Sequence, residues 1–119
     1  MAHRVSITEH IPERTTRLFD VVFRDDAGTA IVPTTVVGTL FDERTQGVIN
    51  SRSAQNVKDV NNGAFAGTTF TLTLAPADTA IIGTGRTEDH VYRLDWTHSG
   101  GRQERTEILH TIVNLALVP

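Results

Sequence analysis

The chain has 119 residues, a mass of 13.0 kDa, no cysteine and a formal net charge of −3, which fits one domain and excludes disulfides and thiol chemistry. Eighteen threonines, a hydrophobic share of 39 % and ten arginines against one lysine give an ordinary soluble surface, a lean toward β structure and material for a single core. An acidic chain with pI near 5.9 has no electrostatic footprint for nucleic acid. No apolar run approaches the roughly 20 residues that span a bilayer, and Met1-Ala2-His3-Arg4-Val5-Ser6 lacks the apolar h-region of a secretory signal.

Period-2 alternation dominates from the start. Residues 4–8 alternate Val5 and Ile7 with polar neighbours and predict a short strand that ends at Ile11-Pro12, because proline cannot donate to a ladder. Residues 1–15 therefore read as an N-terminal arm or first strand, and 16–119 as the domain proper. Over 16–24, Phe19, Val21 and Phe23 point one way while Asp20 and Arg24 point the other, a half-buried strand. Asp25-Asp26-Ala27-Gly28 carries the turn chemistry that follows, a capping carboxylate and a glycine that tolerates positive φ. A brief segment ends at Pro33, and residues 36–52, with a turn at Thr45-Gln46-Gly47, predict a hairpin.

The stretch 53–66, with Asn56, Asn61, Asn62 and Gly63, reads as a long connection of the kind that often carries binding. Residues 68–74 predict a strand with Phe70, Leu72 and Leu74 inward and threonines outward. Pro76-Ala77-Asp78-Thr79-Ala80 reads as one helical turn with proline at an early position. Residues 90–98 alternate Tyr92, Leu94 and Trp96 with Arg93, Asp95 and Thr97. Ser99-Gly100-Gly101-Arg102 turns the chain into a last strand from Gln103 to about Leu117, with its register open.

Roughly seven short strands, one long connection and one helical crossover predict an all-β fold, an antiparallel Greek-key β-sandwich, with a small closed barrel as the alternative. Asp78-Thr79-Ala80 followed by Tyr92 is similar to the crossover and tyrosine-bearing strand of immunoglobulin-like domains. Ten extra residues between the two elements and the absence of cysteine limit that likeness to the architecture.

Chemistry-bearing patterns are sparse. His90 and His98 lie about 27 Å apart at ~3.4 Å per residue along a strand, too far to share an ion. His90 with His110 and Glu88 or Asp89 could meet at a sheet end, but rim or surface positions are the expected account, and no metal or cofactor is expected. There is no Gly-x-Ser-x-Gly elbow, and the carboxylates sit in turns and at strand ends, so no catalytic residue is expected and the chain reads as a non-enzyme. Gly83-Thr84-Gly85-Arg86 is followed by no strong helical pattern, which weakens a phosphate-loop reading. Trp96 and Tyr92 read as core residues, with an aromatic ligand platform the alternative. The arginines are interleaved with acids, a pattern that suits polar protein–protein contacts or reflects base composition alone.

Taken in order, Phe19-Asp20-Val21-Val22-Phe23-Arg24-Asp25-Asp26-Ala27-Gly28, then Gly38-Thr39-Leu40-Phe41-Asp42 with Thr45-Gln46-Gly47-Val48-Ile49-Asn50, then Pro76-Ala77-Asp78-Thr79-Ala80, and His90-Val91-Tyr92-Arg93-Leu94-Asp95-Trp96-Thr97 ending at Asn114-Leu115-Ala116, the pattern resembles the small immunoglobulin-like proteins of tailed bacteriophages. These include head decoration proteins and N-terminal domains of baseplate proteins. The resemblance covers residues 16–119 in pattern and element order, with loose motifs. It implies a virion structural protein, assembled in the host cytoplasm, that binds major capsid, tail or neck proteins of the same particle as a homo-oligomer or on a lattice. Capsid decoration or a head accessory role leads; tail, baseplate or neck is the next location, and a carbohydrate- or receptor-binding sandwich is a different class. Contacts are expected on the 53–67 loop through Asn56, Asn61 and Asn62, on the tip through Ser99 and Arg102, and on the N-terminal arm.

Overall fold

The computed structural model describes residues 2–114, with side chains for residues 4–114. Their strands are β1 (Ala2–Ser6), β2 (Ile11–Pro12), β3 (Arg17–Arg24), β4 (Ala30–Ile31), β5 (Thr35–Asp42), β6 (Gln55–Asn56), β7 (Gly63–Ala66), β8 (Thr69–Leu74), β9 (Thr87–His98) and β10 (Arg102–Val113). They form two sheets, neither closed on itself: β1-β10-β9-β5-β6, with β2 also on β10, and β4-β3-β8-β7. All pairings are antiparallel except those of β1 and β2, which run parallel to β10. The fold is all-β and sandwich-like. Inward residues of both sheets, among them Phe19, Phe23, Phe70, Leu72, Tyr92, Leu94 and Trp96, share one core.

Alternation explains the best-formed strands. Phe70, Leu72 and Leu74 of β8 are fully buried while the intervening threonines are half-exposed, so β-branched residues cover the solvent face of a pleated surface. After β3, the Asp25 carboxylate accepts the N–H groups of Ala27 and Thr29 at 3.0 and 2.9 Å, and Gly28 takes φ +83°, which a side chain would strain. Pro76–Thr79 forms the expected single helical turn, of 3-10 type. The Thr79 hydroxyl ties it to the chain entering β3, donating to Thr15 O and accepting Thr15 N–H. Ser99–Gly101 makes a second such turn and sets the last register at His98 opposite Arg102, running to Thr87 opposite Val113.

Several expectations change. Ile11-Pro12 does not end the sheet pairing, since it rejoins β10 opposite Ile112 and Val113 and buries Ile11 almost completely. The predicted 36–52 hairpin has no continuous return strand: only Phe41 and Val48 form a bridge. Asn50, Ser51 and Ala54 then adopt φ of 52°, 56° and 48°, so the chain bulges away before β6 pairs with Val37 and Gly38. The 53–66 stretch is not one long connection, because it contains β6 and β7. Strand β7 is hidden in sequence by its small residues, Gly63-Ala64-Phe65-Ala66. The expected last strand ends at Val113 and Asn114 is outside it; residues 115–117 of the expected continuation lie outside the described residues.

Tyr92 locks the sheets at mid-core. Its hydroxyl exchanges hydrogen bonds with the Asn62 side chain at 3.0 and 3.3 Å, and Asn62 also donates to Thr73 O. Burial pushes the phenol pKa upward. Tyr92→Phe removes one partly satisfied polar pair and keeps the ring, so urea denaturation should show a loss of about 1 kcal/mol. A loss near zero would mean that the bond contributes nothing.

Candidate functional site

The two outer faces differ in chemistry. On the first sheet, Arg4 pairs with Glu107 at 3.0 Å and Glu43 at 2.8 Å. Arg105 and Arg93 share Asp95, and the Arg93 guanidinium lies 5.8 Å from the Phe41 ring centre. This face is a ladder of mutually satisfied charges. On the second sheet the outward rows are Leu18 with Thr73, Asp20 with Thr71 and Ala64, Val22 with Thr69 and Ala66, and at the end of β3 Arg24 with Ala30. Asp20 accepts a hydrogen bond from Thr71 at 2.7 Å, while Leu18 and Val22 are 58 % and 40 % exposed. Low charge with exposed apolar side chains is the composition of an interface centre.

The same sheet has an open flank. Strand β3 pairs along one side with β8, but on the other side β4 reaches only Phe23 and Arg24. Among the described residues, 17–22 have no second strand. Beside them a cleft of about 900 Å³ opens between the sheets, lined by Ile7, Phe19, Val21, Phe23, Trp96 and Ile108. Charged residues, among them Arg17, Asp20, Arg24 and Arg105, line the rest of the cleft, and unpaired backbone beside such a cleft can accept an added strand.

A second feature lies at the end of the first sheet. His90, His98 and His110 are buried, which corrects the expected rim or surface positions. All three share the inward parity of Tyr92, Leu94, Trp96 and Ile108. His90 and His110 are opposite in register, their rings meet edge-on with centres 5.9 Å apart, and His110 also packs on Phe19. Burial pushes the His110 pKa down to about 4, against a hydrogen bond to Ile108 O that favours the charged form. Nδ1 of His90 and Nε2 of His110 have no hydrogen-bond partner. His90 Nε2 lies 2.7 Å from Glu88 Oε1, and Asp42 is directly opposite His90 on β5. Sequence reading brought His90 and Glu88 together but missed Asp42, although Asp42 has the parity of the inward Val36, Gly38 and Leu40.

The side chains expected to make contacts lie on two separate turns. Asn56, Asn61 and Asn62 sit on β6 and the β6–β7 connection. There Asn61 donates to Asn56 O, Asn56 Oδ1 accepts Lys58 N–H, and Asn62 is engaged by Tyr92. Ser99 and Arg102 sit at the β9–β10 turn, where Arg102 pairs with Asp26. Residues 2–6 of the N-terminal segment lie along β10. Trp96 is only 6 % exposed and donates to Thr106 at 3.2 Å, so its ring is packed in the core against Phe23.

Fold and surface thus define an all-β, sandwich-like domain in which residues 17–22 of β3 lack a second strand among the described residues. No protein-family model matches the chain, and no curated protein matches it significantly.

Proposed function

We propose that the chain is an immunoglobulin-like Greek-key sandwich that serves, without catalysis, as a structural subunit of a tailed-phage virion. Among the described residues, the presence of seven strands of four or more residues beside three of two residues supports this reading. Asp78 of the Asp-Thr-Ala turn, joined to Arg52, and Tyr92 on β9 support the immunoglobulin-like reading. The phage assignment is supported by the sequence resemblance. The observation that carries an assembly role is the open β3 edge with its charge-poor outer face, opposite a face whose charges are already paired.

A modest interface is enough for such a subunit, because many copies on a lattice are held collectively. Capsid decoration or a head accessory position is the leading location, with major capsid protein as partner; tail, baseplate or neck is the alternative within the same class. Quantitative mass spectrometry of purified virions should find the protein at a fixed copy number set by particle symmetry, and separated heads and tails should place it. Its absence from virions sinks the proposal. Leu18→Lys with Val22→Lys should abolish incorporation while leaving the Tm within a few degrees, because both side chains face solvent. Undiminished incorporation would move the interface elsewhere.

A further inference from the structure

We propose that Asp42, Glu88 and His90 form a divalent-cation site at the end of the first sheet. Strand geometry brings the three together. Asp42 and His90 are register partners across β5 and β9, and Glu88, two residues before His90, returns to the same face. One ligand atom from each lies within 4.8 Å of the others, a spacing that small side-chain movements close around a single ion.

Three observations favour a cation over a merely polar corner. First, Asp42 and His90 are 3 % and 0 % exposed, and the Glu88 side chain is 12 % exposed, so two carboxylates share a poorly solvated space. Among the described residues neither carboxylate has an ion pair with arginine or lysine. Like charges packed this closely call for a cation. Second, the buried His90 ring has no hydrogen-bond partner outside the cluster. Nε2 donates to Glu88 Oε1 and Nδ1 is unpartnered, so no group outside the cluster fixes the tautomer, and a metal at Nε2 would take the place of that proton, which moves to Nδ1. Third, the carboxylates are held in place by backbone N–H groups. Asp42 Oδ1 accepts the N–H groups of Arg44 and Thr45, both at 2.9 Å, and Glu88 accepts those of Ile82 and Gly83 at 3.0 and 2.9 Å. Such bonds orient the carboxylates and leave Asp42 Oδ2 and a lone pair on Glu88 Oε2 for an ion.

A second group, Asp26, His98 and Glu104, has similar spacing, but Asp26 already pairs with Arg102. Only the first group lacks a compensating guanidinium or ammonium. It also has access, because Asp42 and Glu88 line a cleft of about 710 Å³ with Arg44, Ile82, Gly83 and Thr84. Two carboxylates and one imidazole suit a borderline ion such as Zn²⁺, with water completing the shell. A bound ion would join β5 to β9, whatever the protein's partner.

The test is calorimetric titration of the EDTA-treated, dialysed full chain with ZnCl₂, in a background carrying His3→Gln and His10→Gln so that those imidazoles do not contribute. Saturable 1:1 binding in the micromolar range is expected, with a raised Tm and, for Co²⁺ as spectroscopic probe, a visible d–d band. Asp42→Asn keeps the oxygen that caps Arg44 and Thr45, and should weaken binding at least thirtyfold without loss of fold. Asp26→Asn should leave it unchanged. No saturable binding up to millimolar Zn²⁺, or 1:1 binding that survives both Asp42→Asn and Glu88→Gln, overturns the proposal.

Discussion

Replacing Asp78 with alanine should cost roughly 3–5 kcal/mol of folding free energy, corresponding to a Tm lower by about 12–20 °C for a domain of this size. Asp78 is fully buried and both of its oxygens are engaged. Oδ1 accepts from Arg52 Nε at 2.5 Å and Asn50 Nδ2 at 2.8 Å, and Oδ2 accepts Ala75 N–H at 2.7 Å. The bond to Asp78 holds the Arg52 guanidinium pKa above its ordinary value, against the opposing effect of burial. Alanine leaves a largely buried guanidinium with only Gln55, at 3.3 Å, and leaves the Ala75 N–H and the Asn50 amide without their carboxylate.

The effect has a second component. Residues 50–54 contain three non-glycine residues at positive φ, an arrangement that persists only where surrounding contacts over-determine it. Asp78 supplies two of those contacts, one to Asn50 and one to Arg52. Hydrogen exchange in Asp78→Ala should therefore rise first over residues 49–56. In an Arg52→Met background the same replacement should cost much less, because the stranded charge is gone. A loss below 1 kcal/mol in urea denaturation, or equal losses in both backgrounds, would show that the buried pair does not hold this arm.

That network also marks where sequence reading stops. Strands β3, β8, β9 and β10 were legible because large apolar residues alternate with threonine or charge, and the Asp25 and Gly100-Gly101 turns because their residue types are tied to backbone geometry. The bulged return after β5 was not legible. Its path depends on Asp78, some 26 residues further along from Arg52, and no local pattern encodes that pairing. The inward histidines left a signal that polarity obscured: 90 and 98 share the parity of 92, 94 and 96, so period alone places them in the core. The open β3 edge has no sequence signature at all, because it arises from β1 choosing β10 as its neighbour. Strand β7 is illegible for a different reason: Gly63, Ala64 and Ala66 are too small to show an alternation around Phe65.

Gly63→Ala should be the most damaging single-methyl addition among the nine glycines, with a loss of about 3 kcal/mol. A Cβ at this position would lie 2.1 Å from Val57 O and 2.6 Å from Phe70 Cζ. Neither neighbour can yield easily. Val57 is buried, its N–H is bonded to Val36 O at 3.0 Å, and Phe70 is fully enclosed, with its ring packed on Phe23 and Phe65. The methyl must therefore push β7 away from the first sheet, which also strains the Asn62 contact to Tyr92. Gly67→Ala is the matched control. Gly67 has φ +61° but nothing within 4 Å of its Cβ position, so alanine there incurs only the left-handed backbone cost, about 1 kcal/mol. Chemical denaturation of the two variants separates crowding from backbone strain. If Gly63→Ala is no worse than Gly67→Ala, the two sheets do not approach as closely at Gly63 as described, and β7 packs by its side chains alone.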